Sequence, residues 1–120
     1  MTIKQAASGI LSASILCCMM LFGGISVANA DAVAEGKKIA FDRKKGNCMT
    51  CHMMEGATLA GNIGPPLIAM KARYPDKAKL RAQIWDSTAS NPNTIMPPFG
   101  LHRILTDKEI DLVTEYVHSL

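Results

Sequence analysis

The chain has 120 residues, is 48% hydrophobic but only 5% aromatic, and carries a formal net charge of +3. It has no internal repeat, no low-complexity tract and no basic run interleaved with aromatics, which argues against a nucleic-acid binder. A charge this small names no partner, and the length suits one small domain.

Lys4 precedes an apolar run from Ala6 to Val27 that leads into Ala28-Asn29-Ala30. A basic start, an apolar stretch and a small-residue triplet read as an export signal cleaved after Ala30. The rival reading is an uncleaved anchor, because the run approaches the roughly 20 residues that a bilayer requires. Cys17 and Cys18 fit a lipid-attachment signal poorly, since the residues before them, Leu16 and Cys17, are not small. We therefore expect a signal peptide over 1–30, a domain over 31–120, and delivery to the periplasm. Without Lys4, twelve Lys and Arg face ten Asp and Glu. A mature chain of 90 residues buries only about 60 to 65% of its unfolded surface. Its aromatics are Phe41, Tyr74, Trp85, Phe99 and Tyr116, so a large apolar cofactor would supply the missing core.

The spacing predicts a helix over Ala32 to Arg43, with Ala32, Gly36, Ile39 and Ala40 on one face and Lys37, Lys38 and Asp42 outward. A cysteine motif follows, and then Gly56 to Pro66, whose glycines and prolines make a loop. Leu67 to Tyr74 reads as a short helix that stops before Pro75. Asp76 is placed to cap the next helix, Lys77 to Trp85, in which Leu80 and Ile84 share a face. Ala89 to Gly100 contains three prolines and one methionine, Met96, and is predicted as a loop. The last helix has the clearest start: Thr106 as N-cap, Glu109 as its capping-box partner, and Leu105 with Ile110 as a hydrophobic staple. Its apolar stripe is Ile110, Val113, Tyr116 or Val117, and Leu120. No strand signal competes, so the expected fold is small and all-α.

Cys48-Met49-Thr50-Cys51-His52 is the C-x-x-C-H pattern of c-type haem attachment. Two thiols on one turn reach the two vinyl groups of a haem, and the next residue can then bring an imidazole onto the iron. A redox dithiol would leave His52 unused and needs a βαβ context, and a zinc site needs a further strong ligand nearby. For the sixth iron ligand the candidates are Met70, Met96, His102 and His118, because Met49, Met53 and Met54 are too near the motif to reach the opposite face. Met70 falls in a helical stretch where methionine is usually core filler. His118 reads as a solvated side chain, and His102 is the serious rival. Met96 is preferred because Pro97 holds its backbone extended and two prolines stiffen the loop. An iron with His52 and Met96 both bound passes electrons but has no open position for a substrate, and this ligand pair favours a high reduction potential.

In this order, Cys48 to His52, Gly64-Pro65-Pro66-Leu67, Thr94-Ile95-Met96-Pro97 and a capped final helix resemble the class I cytochrome c family. The resemblance implies a class I cytochrome c fold around one covalently bound haem c. It further implies that the Pro65 carbonyl accepts the His52 imidazole hydrogen bond, that Leu67 lies against the haem, and that Thr94 lies near a propionate. Gly36 would meet Val113 and Tyr116 where the first and last helices cross. Ala40 departs from the family, many of whose members carry an aromatic there.

Two longer strings, Gly61 to Leu67 and Asn91 to Asp107, are joined by Lys71 to Asp76 and Leu80 to Asp86 in a narrower match. From about Gly46 to Leu120 the chain is similar to the monohaem SoxX subunits of sulfur-oxidation cytochrome complexes. That resemblance implies a heterodimer with a SoxA-like cytochrome, which joins thiosulfate oxidatively to a cysteine of the SoxYZ carrier. The SoxX haem accepts the electrons released and passes them to a downstream cytochrome, so the chain would be the electron-accepting subunit of an L-cysteine S-thiosulfotransferase rather than catalytic alone. The alternative class is a free-standing carrier, which should show a lysine ring around its haem edge where a subunit shows an apolar patch. Ile95, Pro97, Pro98, Phe99 and Leu101 favour the subunit. Trp85 is balanced between a propionate hydrogen bond and core packing. Arg73 and Arg81 are possible propionate partners, although a solvated helix face is the commoner fate.

Overall fold

Asp42 ends the first helix, α1, which runs Gly24–Phe41 in a computed structural model that describes residues 24–120. The Asp42 carboxylate accepts the Lys44 N–H at 2.8 Å, and its carbonyl accepts the N–H groups of Lys45 and Asn47 at 3.0 Å each. These local bonds compete with a further helical turn, so the helix stops two residues short of the expected Arg43. At its other end α1 runs continuously through Ala28-Asn29-Ala30. Residues 1–23, with Cys17, Cys18 and most of the apolar run, lie outside the described residues. Among the described residues no helix is long and apolar enough to cross a membrane.

The next helix, α2, is Met70–Arg73, only half the predicted length. Leu67 donates its N–H to the Met53 carbonyl at 2.8 Å, which ties it to the segment after the cysteine motif. Ala69 then takes a left-handed conformation, φ 51°, and helix cannot begin before Met70. Helix α3, Lys77–Trp85, has the predicted bounds, and the Asp76 side chain accepts the Ala78 N–H at 2.9 Å. Leu80 and Ile84 are its buried face. Helix α4, Asp107–Ser119, starts with both halves of the capping box: Glu109 N–H to Thr106 Oγ1 at 3.3 Å and Thr106 N–H to Glu109 Oε2 at 2.9 Å. Among the described residues there is no strand, and the arrangement is the small all-α one expected.

The core lies where α4 meets α1, α2 and α3. Ile110, Val113, Tyr116 and Val117 are all buried, together with Ala40, Leu80, Ile84 and Leu105. Gly36 makes the α1–α4 crossing possible, since a Cβ there would lie 1.9 Å from the Leu112 carbonyl oxygen and 2.9 Å from Tyr116 Cβ. The crossing therefore centres on Leu112 and Tyr116 rather than on Val113. The aromatic that Ala40 lacks is supplied one residue later: Phe41 meets Tyr116 edge-on, with ring centroids 6.2 Å apart. Ion pairs tie the elements at the surface, Lys45 with Glu109, Lys77 with Glu115 at 2.7 Å, and Arg81 with Asp111 at 2.5 Å.

Candidate functional site

The cysteine motif folds as a single 3-10 turn, Cys48–Thr50, entered through Asn47 at φ 46°. The Cys48 carbonyl accepts the N–H of Cys51 at 3.2 Å and that of His52 at 2.9 Å. This tight turn brings both thiols and the imidazole to the lining of one cavity of ≈ 580 Å³. Such a volume falls in the range of about 300–1,000 Å³ found for small-molecule and cofactor sites. Leu67, Met70, Leu80, Ile84, Phe99, Leu105, Val113 and Val117 give it a largely apolar wall, and Met96 and Thr94 enter from the loop before α4. Burial pushes the Cys48 thiol up to about 11. Among the described residues no three of His, Cys, Asp and Glu converge as a metal cluster.

His52 Nδ1 lies 2.7 Å from the Pro65 carbonyl oxygen. Because a carbonyl can only accept, Nδ1 carries the proton and Nε2 keeps its lone pair for a metal. The ring lies directly over Gly64, where a Cβ would come within 2.5 Å of His52 Cε1 and 2.6 Å of Nδ1. Gly64 in turn donates its N–H to the Cys51 carbonyl at 2.8 Å, so the Gly-Pro segment is fastened to the motif it supports.

Met96 is held by its own backbone. Its N–H donates to Thr94 Oγ1 at 3.1 Å, and its carbonyl accepts the Ser87 hydroxyl at 2.6 Å. Thr94 thus spends its oxygen on Met96 while also lining the cavity. Ser87, fully buried at 0% exposure, is a contributor the sequence did not reveal. Nothing in residue spacing links position 87 to position 96; the only sequence signal is the turn chemistry of Asp86-Ser87-Thr88, where Asp86 accepts the Thr88 N–H at 3.0 Å.

The remaining candidates separate clearly. His102 is exposed and lies outside the lining, whereas Met70 is buried in the core and also faces the cavity. His118 is not simply solvated: its Nε2 is 3.1 Å from the Tyr74 carbonyl, to which it donates. Trp85 is outside the lining and packs over Gly100, with the Arg81 guanidinium 5.5 Å from its ring centroid. Arg81 is engaged by Asp107 and Asp111. Arg73 does line the cavity, and its Nη1 donates to the Pro66 carbonyl at 2.7 Å.

Two thiols, an imidazole nitrogen with a free lone pair, and a thioether around an apolar cavity fit a covalently held haem. The sequence pattern of the family described as cytochrome c matches residues 33–120. An uncharacterized lipoprotein of Aquifex aeolicus (strain VF5) is 36% identical over 77 residues, which cover 63% of this chain and 37% of that protein. The chain thus spans well under half the length of this curated relative. With residues 33–120 matched and the motif, cavity and helices in place, the chain belongs to the cytochrome c family, electron-carrying proteins with covalently bound haem c.

Proposed function

We propose that Cys48 and Cys51 would hold one haem c through two thioether bonds, with His52 Nε2 and Met96 Sδ as the ligands to its iron. The observation that carries this reading is the meeting of the cysteine turn and the Met96 loop in one apolar cavity, with His52 Nδ1 already engaged by Pro65. The haem supplies a one-electron couple. The chain's own residues orient the imidazole, hold the thioether and keep water away with Leu67, Phe99 and Val113. With His52 and Met96 both holding the iron, the haem would have no open position for a substrate.

The narrower reading is a periplasmic SoxX-type subunit that accepts electrons when a SoxA-like partner joins thiosulfate to a cysteine of the SoxYZ carrier. Forming that sulfur–sulfur bond from a thiolate and thiosulfate releases two electrons, which a one-electron centre takes in succession and hands to a downstream cytochrome. The strings Gly61 to Leu67 and Asn91 to Asp107 support it. So do Ile63 and Ile95, 63% and 73% exposed at the cavity mouth, because apolar side chains there suit a lasting interface better than a transient one. The lipoprotein name of the Aquifex relative supports export. A free-standing carrier is the alternative.

Two measurements test these readings. The oxidised holoprotein should show the weak far-red absorption of methionine sulfur bound to ferric haem, lost in Met96→Ala and kept in His102→Ala; the reverse would move the sixth ligand to His102. The purified chain alone should fail to turn over thiosulfate, and should form a stable heterodimer with its SoxA-like partner and be reduced when thiosulfate and carrier are added. Turnover by the chain alone, or a monomer in the partner's presence, would leave the free carrier as the function.

A further inference from the structure

We infer that Ser87 is a positioning residue for the Met96 ligand, closing its loop from both ends; the inference rests on the reading of Met96 as the sixth ligand. The Ser87 carbonyl accepts the Asn91 N–H at 3.2 Å where the loop begins, and the Ser87 hydroxyl donates to the Met96 carbonyl at 2.6 Å where it ends. One fully buried residue thus ties both ends of the segment that delivers the thioether.

The loop between those ties is built to transmit the constraint. Asn91 Oδ1 accepts the Asn93 N–H at 3.0 Å, the Asn91 carbonyl accepts the Thr94 N–H at 3.0 Å, and Thr94 Oγ1 accepts the Met96 N–H at 3.1 Å. After Met96 this ladder has no continuation, because Pro97 has no N–H to offer. The hydroxyl of Ser87 is therefore the polar group that fixes the Met96 peptide from outside its own loop. Ser87 is itself set by the end of α3, where the Asp86 carboxylate accepts the Thr88 N–H at 3.0 Å. Removing the hydroxyl leaves the Met96 carbonyl without its partner and costs a buried hydrogen bond, on the order of tenfold in the equilibrium between a seated and an unseated loop.

The test uses the holoprotein with its covalent haem and titrates the ferric form with imidazole, which competes with the thioether for the iron. Ser87→Ala should bind imidazole about tenfold more tightly than the wild type, since the loop holding its competitor is loosened. The amide protons of Asn93, Thr94 and Met96 should exchange faster over the same loop. Ser87→Thr, which keeps the hydroxyl, should return the affinity toward the wild-type value. The control is Thr114→Val, which deletes a hydroxyl that is also buried and donates to the Ile110 carbonyl at 2.7 Å, away from the cavity. It should lower thermal stability yet leave imidazole affinity unchanged. If Ser87→Ala binds imidazole as weakly as the wild type and Thr114→Val, Ser87 is only a buried structural serine and the inference is overturned. Wild-type protein without the far-red sulfur absorption would instead overturn the Met96 reading itself, and with it this inference.

Discussion

His52 and Pro65 are joined by a 2.7 Å hydrogen bond in which the imidazole Nδ1–H donates to the prolyl carbonyl, and Gly64 lies flat beneath the ring. The contact settles the tautomer and the ring plane together. A Cβ at position 64 would overlap the imidazole, with the nearest atom 2.5 Å away. Gly64→Ala should therefore displace the ring or the Gly-Pro segment and destabilise the holoprotein by about 1–3 kcal/mol, the usual result of overpacking a tight contact. Thermal unfolding measures the loss, and a raised reduction potential would report the weakened hydrogen bond, because a less basic imidazole stabilises ferric iron less.

Haem attachment should depend on two of the four cysteines. Cys48→Ala or Cys51→Ala should leave at most one thioether and little holoprotein, whereas Cys17→Ala with Cys18→Ala should leave haem content unchanged. Intact mass decides this, and the same spectrum should place the mature N-terminus at Asp31. Protein without a covalent haem mass would remove the basis of the site.

The crossing of α1 and α4 depends on Gly36. Because a Cβ would lie 1.9 Å from the Leu112 carbonyl oxygen, which belongs to the α4 backbone, no side-chain rotation relieves the clash. Gly36→Ala should force the helices apart and cost about 3 kcal/mol, at the upper end of ordinary overpacking. Chemical denaturation of the holoprotein measures it, and a change below about 0.5 kcal/mol, the scale of a neutral surface substitution, would contradict the crossing.

Acid stability should involve Glu109. Hydrogen bonds from Lys45 and from the Thr106 backbone hold its carboxyl down to about 2, against an ordinary value of 4.5. The unfolded chain then takes up the proton more readily than the folded one, so the contribution is full above about pH 4.5 and is lost as pH falls toward 2. Glu109→Gln should be less stable than wild type at neutral pH, with the difference narrowing across that window. The pair is solvent-exposed enough that the effect will be small and weaker at high salt.

What could be read directly from the sequence were features set by neighbours within about one helical turn. The cysteine turn, the Asp76 cap, the bounds of α3 and the Thr106–Glu109 capping box are all of this kind, and each follows from spacing because its partners are only a few residues apart. The early end of α1 was local too, but the Asp42 turn looks the same in sequence as one more polar helical residue. Tertiary structure alone decided the rest. Leu67 left the predicted second helix because Met53 held its N–H, His118 left solvent for the Tyr74 carbonyl, and Arg81 joined Asp107 and Asp111 on α4. Ser87 reached the ligand loop in the same way, nine residues ahead of the carbonyl it holds. Such bonds join groups that no helical or turn period brings together, and they exist only once the chain has folded back on itself.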